Sequence, residues 1–318
     1  MLANQRVLIT GAGGHVGGRL SAHLSACGTS TRALFRSHQS LPAWATRAEV
    51  VFGDLNDASV RRAVLSNVDT VAHLATRGFS SAVPPTRKEL QIEEDSALSL
   101  LGDAITVGVS RFIYLSSIHV YGDSLVGHVD DSTPTRPNTE YGRSRQRIEE
   151  EILQRSATTN TRAVVVRLTN SFGVPMSPRP EIWSLLMHDL CRQVVSSRAM
   201  VLRSDSRVCL DSMALCDVVE VLTQLLTSPL PLQGVYLLAS GETMQLMQLA
   251  ALVQRHAEEL FKISAVIEAP HRQSESPTTF RLDSRRLRAA GVHIPNNRNQ
   301  EIYDLLRYAQ QEFGRGST

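Results

Sequence analysis

Residues 6–19 read RVLITGAGGHVGGR: a strand-like apolar run, a loop with glycines at 11, 14 and 17, and the start of a helix-like segment. Gly11 permits a tight turn, Gly14 lets the backbone come close to a pyrophosphate, and Gly17 lets the helix lie against the strand. The helix N-terminus adds unpaired N–H groups and the positive end of the helix dipole, and both favour phosphate. A glycine triplet alone says little. Between a strand and a helix, at the head of an alternating series, it specifies a dinucleotide-binding turn.

That series follows. Short runs rich in β-branched residues at 6–10, 31–35, 48–53, 68–75, 111–117 and 162–168 read as strands buried on both faces. Helix-like segments at 14–27, 56–66, 87–108 and 141–156 separate them. The alternation predicts an α/β fold, a Rossmann-type doubly wound parallel sheet with helices on both sides. After Thr169 the rhythm changes, and NSFGVPMSPRP reads as a loop and domain boundary. A helical segment at 181–197, a strand at 232–240 and a helix near 245–260 precede a polar, arginine-rich end. Residues 1–170 with about 210–240 are therefore expected to form the dinucleotide-binding domain. Residues 171–209 and 241–318 are expected to form a smaller, mixed substrate-binding domain, with the ligand cleft between the two.

Bulk properties exclude several classes. With 42% hydrophobic residues in 318, the chain can bury a large core. A net charge of +2, a pI near 8.4 and 5% aromatic residues give no footprint for nucleic acid. No run of 18 apolar residues predicts a membrane span, and MLANQRVLIT lacks the features of a secretory leader, so a cytoplasmic protein is expected. Cys27, Cys191, Cys209 and Cys216 form no CxxC pair and no metal-ligand spacing with histidine; they read as reduced packing residues, and no metal site is expected.

The second strand runs into RALFRSHQS. An NAD-selective site places Asp or Glu here for the adenosine ribose, whereas this chain has Arg36 and Ser37. A guanidinium beside a hydroxyl suits a 2′-phosphate, which favours NADP over NAD. The alternative is a solvated Arg36 and less selective binding of NAD.

Five motifs in order, TGAGGHVG, GDL (53–55), HLAT (73–76), YLSSIHVYG (114–122) and EYGRSR (140–145), resemble those of the extended short-chain dehydrogenases/reductases. Members of that family include 4-epimerases, 4,6-dehydratases and 4-keto reductases of nucleotide-linked sugars. The resemblance covers about residues 5–240 and implies a role for each matched position. His15 and Val16 join the glycines in the cofactor loop, Asp54 and Leu55 contact adenine, and Ala75 and Thr76 line the ribose and nicotinamide side. Ser117 is the catalytic hydroxyl, with Ser116 its easily confused neighbour, and Tyr141 is the acid/base. Asn170 lies by the sugar-nucleotide phosphates, and Arg207 pairs with them, although Val208 and Cys209 depart from the family pattern there. The resemblance also implies a homodimer built through the helices near 87–108 and 141–156.

Four residues after Tyr141 the family has lysine, and this chain has Arg145. A free tyrosine, with a pKa of about 10, is a poor base at neutral pH, and a fixed cation stabilises its phenolate. Arginine supplies charge but never releases its proton, so it takes no part in a proton relay. Of the 33 basic residues only Lys88 and Lys262 are lysine, so arginine is the ordinary cation of this chain. Three readings stay open: Arg145 as an electrostatic partner, a weakly catalytic nucleotide-binding regulator, or another group in the lysine role. Ile118 and His119 occupy the places of the dehydratases' acidic pair, so 4,6-dehydration is not expected. His119 reads as an acid/base or as an ordinary hydrogen-bonded histidine. The expected function is oxidation or reduction of a hydroxyl or keto carbon on a nucleotide-linked sugar, leaning to an NADPH-dependent 4-keto reductase. An NAD-dependent 4-epimerase is the alternative within the class.

Overall fold

A computed structural model of the chain describes residues 5–36, 41–76, 84–177, 180–270 and 279–314. From the N-terminus come β1 (Arg6–Thr10), α1 (His15–Ala26), β2 (Ser30–Phe35), β3 (Glu49–Phe52), α2 (Ala58–Leu65), β4 (Thr70–His73) and α3 (Arg87–Thr106). Next are β5 (Arg111–Ser117), a 3-10 turn over Ile118–Tyr121, β6 (Gly127–Val129), α4 (Glu140–Ser156), β7 (Arg162–Leu168) and β8 (Asn170–Phe172). The chain goes on through α5 (Leu186–Ser197), β9 (Ala199–Val201), β10 (Cys209–Ala214), α6 (Leu215–Thr227) and β11 (Gly234–Leu238). It ends with β12 (Thr243–Gln245), α7 (Leu246–Phe261), β13 (Val266–Glu268), β14 (Phe280–Leu282), α8 (Arg285–Ala289) and α9 (Arg298–Phe313).

Seven strands form one sheet in the order β11-β7-β5-β4-β1-β2-β3, and every pairing within it is parallel. The strand period of two sorts its side chains between two cores. Val7, Ile9, Val164 and Val166 face α1 and α6, packing with Leu20, Leu24 and the apolar stripe of α6. Leu8, Val71, Ala163 and Val165 face the other way, against Leu65, Leu100, Leu101, Ile148 and Ile152 of α2, α3 and α4. Strands apolar on both faces therefore need helices on both sides, as the continuous apolar runs predict.

Local signals set several helix starts. Thr86 and Glu89 make a reciprocal capping box at α3. Asp57 accepts from the Ser59 N–H at α2, and Thr139 accepts from the Gly142 N–H at α4. Smaller sheets (β12-β10-β8, β13-β9 and β14-β6) accompany a second core, in which Leu190, Val194, Leu249, Val253, Leu305 and Leu306 join α5, α7 and α9. Two differences from the sequence reading stand out. Residues 181–197 are a 3-10 turn and α5, interrupted at Leu185, whose ψ of 142° is extended. Asn170–Phe172 leaves the supposed loop to pair with β10, too short a strand for periodicity to reveal. Among the described residues no helix is long and apolar enough to cross a membrane.

Candidate functional site

Strand order reverses between β1 and β4, and the loops at their carboxyl ends meet there. Gly11 adopts a φ of 72°, and a Cβ on it would lie 2.6 Å from the Leu74 carbonyl oxygen. A Cβ on Gly17 would lie 2.1 Å from the Gly11 oxygen, so only glycine lets α1 begin this close to the loop. No side chain caps α1 at Gly14 and no acid stands in its first turn. A helix end left in this way suits an anion, and the loop thus fits the pyrophosphate of a dinucleotide.

The other expected cofactor residues are placed as follows. Ala75 and Thr76 continue β4 beside the loop, with the Thr76 N–H bonded to the Leu74 oxygen at 2.8 Å. Asp54 is exposed and accepts from the Asn56 N–H at 2.9 Å, whereas the Leu55 side chain is buried in the core against α2 and α3. Arg61, which the sequence reading did not single out, donates to the Leu55 oxygen at 2.7 Å and to Asp103 at 2.6 Å, and so buttresses that turn. Arg36 is exposed at the end of β2, and Ser37 lies outside the described residues. Val16 packs on the core beneath α1. His15 stands edge-on to His188 of α5 with ring centroids 5.3 Å apart, joining the glycine loop to the second core.

One helix contact sets Tyr141 against the turn that follows Ser117. Ser117 ends β5, and its Oγ accepts from the His119 N–H at 3.3 Å, starting the 3-10 turn. A Cβ on Gly142 would lie 2.5 Å from the His119 oxygen, so the first turn of α4 rests directly on that turn. The His119 ring consequently meets Tyr141 edge-on at 5.8 Å, and its Nδ1 lies 3.4 Å from Asp123 Oδ1. Burial lowers the His119 pKa, with Asp123 opposing.

Ser116 points to the opposite face of β5 and donates to Glu149 of α4. Glu149 also holds Arg167, at 3.0 and 2.6 Å, and Arg167 donates to the Tyr121 hydroxyl at 3.1 Å. Burial raises the Glu149 pKa while Arg167 opposes it.

Arg145 has no exposed surface. Its guanidinium pairs with Glu93 of α3, donates to the Tyr114 hydroxyl at 3.0 Å, and lies 4.7 Å from the centroid of the Tyr141 ring. Burial disfavours the charged form, but Tyr114, Tyr141 and Glu93 outweigh it and raise the Arg145 pKa. The sequence reading missed Glu93. The available signal was the acid pair Glu93–Glu94 on one helix and Arg145 and Arg147 on the next, and Arg147 indeed pairs with Glu94 at 2.6 Å. His73 stacks on Tyr114 and bonds Thr10 Oγ1 at 2.8 Å; burial and then Arg145 lower its pKa to about 3.

The expected substrate residues lie on the smaller sheets. Asn170 is exposed and donates to the Asp211 oxygen at 3.2 Å. Arg207 is held by Asp205 through contacts of 2.7 and 3.1 Å.

Comparison with known proteins agrees with this architecture. Over 136 residues the chain is 33% identical to a 3 beta-hydroxysteroid dehydrogenase/Delta 5→4-isomerase of Mycobacterium tuberculosis, covering 41% of this chain and 36% of that protein. Over 187 residues it is 27% identical to a UDP-glucose 4-epimerase of Azospirillum brasilense, covering 56% and 52%. The chain spans 36 to 56% of the length of such curated relatives. The structure of MoeE5 in complex with UDP-glucose and NAD superposes with a TM-score of 0.78 at 20% identity, covering 96% of this chain and 99% of that one, a likeness of fold. The model of the NAD dependent epimerase/dehydratase family matches residues 7–239, from β1 through β11, and with the glycine loop, the Ser117 turn and the Tyr141 helix inside that span the chain belongs to this family.

Proposed function

We propose that the protein is an NAD(P)-dependent enzyme acting on a hydroxyl or keto carbon of a nucleotide-linked sugar, with NADPH-dependent reduction of a 4-keto group as the favoured reaction. The observation carrying the preference is Arg36, exposed at the end of β2 where an NAD-selective site has an acid. The glycine loop would hold a nicotinamide dinucleotide, which when bound would supply hydride exchange with the sugar carbon. Tyr141 then gives a proton to the oxygen on that carbon, or takes one from it, while Ser117 orients that oxygen. Arg36 and Ser37 would hold the 2′-phosphate, and Asn170 and Arg207 the phosphates of the sugar nucleotide.

A second reading, an epimerase that keeps NAD bound and recycles it, is favoured by the UDP-glucose 4-epimerases among the relatives. Nucleotide released on denaturing the fresh protein, followed by NADPH and NADH titration of the stripped protein, separates the two. A site without retained nucleotide that binds NADPH more tightly than NADH is the expected result. Retained NAD with no NADPH preference would sink the reductase and direct the search to epimerisation. Tyr141→Phe should abolish turnover in both cases.

A further inference from the structure

Arg145 heads the large side chains that are fully buried among the described residues. Glu93, the Tyr114 hydroxyl and the Tyr141 ring enclose its guanidinium. The Nε donates to no acceptor among the described residues and is as sealed as the rest. A side chain without accessible surface presents no atom to a molecule lying in a cleft.

We infer that Arg145 is a positioning residue that acts through Tyr141 and not a ligand of the cofactor, and that Glu93 is the other half of this device. The inference rests on Tyr141 being the acid/base. An isolated guanidinium at this depth would pay a heavy desolvation penalty, which a hydrogen-bonded carboxylate offsets. Glu93 belongs to α3, Tyr114 to β5 and Tyr141 to α4, so the guanidinium ties three elements together behind the phenol. Its planar fork reaches carboxylate and hydroxyl while its face covers the ring; the point charge of lysine does not span all three. Tyr141 therefore faces an ion pair in place of a lone cation. Removing either charge changes the field at its hydroxyl, in opposite senses.

Two measurements that need no sugar substrate test this, so a wrong substrate class would leave their outcome unaffected. The first is titration of wild type, Arg145→Met and Glu93→Gln with NADPH and NADH. Gly14→Val serves as the control that should lose affinity. The second is the ultraviolet tyrosinate absorbance against pH, with Tyr141→Phe in the same background subtracted to isolate the Tyr141 step, because Arg145 also bonds the Tyr114 hydroxyl. Both variants should bind cofactor within about twofold of wild type. The Tyr141 step should move to higher pH in Arg145→Met and to lower pH in Glu93→Gln, and Glu93→Asp should return it toward wild type. A loss of cofactor affinity of about tenfold confined to Arg145→Met would make Arg145 a cofactor ligand and overturn the inference. So would a Tyr141 step that neither variant moves. If Arg145→Met does not fold, Glu93→Gln decides the case: weakened cofactor or an unmoved step refutes the device, and unchanged affinity with a lowered step supports it.

Discussion

At the scale of single residues, interior cations are the chain's distinguishing choice. Arg32, Arg111, Arg145, Arg167 and Arg298 are all buried. Arg32 donates to Ala63, Val64 and Ser66 oxygens at the end of α2, and Arg111 to the Leu225 oxygen in the last turn of α6 and the Ser228 and Leu230 oxygens after it. Each satisfies several carbonyls that a helix end leaves open, which the spread donors of a guanidinium do better than an ammonium. Arg167 with Glu149 is the most demanding case, because Ser116 shares the same carboxylate. Glu149→Ala strands a buried guanidinium, and urea unfolding should show a loss of about 3–5 kcal/mol. A loss below about 1 kcal/mol would mean that the network carries little of the stability. That Ser116 and Ser117 face opposite ways is legible from strand alternation alone. Their partners are not, since Glu149 lies 33 positions from Ser116 and only packing of α4 on the sheet brings it there.

At the scale of elements, the contact between α4 and the 3-10 turn decides the site. It sets Tyr141 beside the residues that follow β5, and it depends on the missing side chain of Gly142. Gly142→Ala must push α4 away from the His119 carbonyl. The expected cost is about 1–3 kcal/mol, close to that of overpacking, despite the better helix propensity of alanine. Turnover should fall more than cofactor affinity, because the glycine loop is untouched; a variant with wild-type turnover would show that the close approach is dispensable. The strands and helices of the first half were readable because both obey a simple period. Helix α6 and helix α9 were not among the expected elements, although Ile302, Leu305, Leu306 and Ala309 keep helical spacing and are all buried. The polar character of that region masked a narrow stripe, while α6 follows β10 without any turn signal.

At the scale of the whole molecule, the last helix closes on α1 and α6. Glu301 of α9 is buried and bonds Arg19 of α1 at 3.2 Å, the Val174 N–H at 3.2 Å and the Cys216 N–H of α6 at 3.1 Å. Beside it, buried His188 donates through Nε2 to the Gly173 oxygen at 2.9 Å, and burial lowers its pKa to about 4. With His73 at about 3, two histidines are held neutral in the folded protein. The unfolded chain, with histidine near pKa 6.5, binds more protons below that value, so stability should fall as the pH drops from 7 toward 4. Each histidine should remove roughly 2 kcal/mol by pH 5. Buried Glu149 and Asp211, whose pKa burial raises, oppose the trend, so the histidine contribution is read between pH 7 and 5 as the difference between wild type and a histidine variant. Urea midpoints should decline over that range, and His188→Gln should make the decline shallower. A His188→Gln profile parallel to that of wild type would show that His188 is not kept neutral.

The sequence by itself determined the sheet-and-helix alternation, the glycine loop between β1 and α1 and the order of the family motifs. These depend on residues close together in the chain, on periods of two and 3.6, and on backbone freedom at single glycines. It could name Arg145 as a departure but not say what surrounds it. Only the tertiary structure decided that: Glu93 and Tyr114 are 52 and 31 positions away, and they meet the guanidinium because α3, β5 and α4 pack together around it. Burial, and with it the strength of every charge in the site, is a property of that packing and has no local signature in the chain.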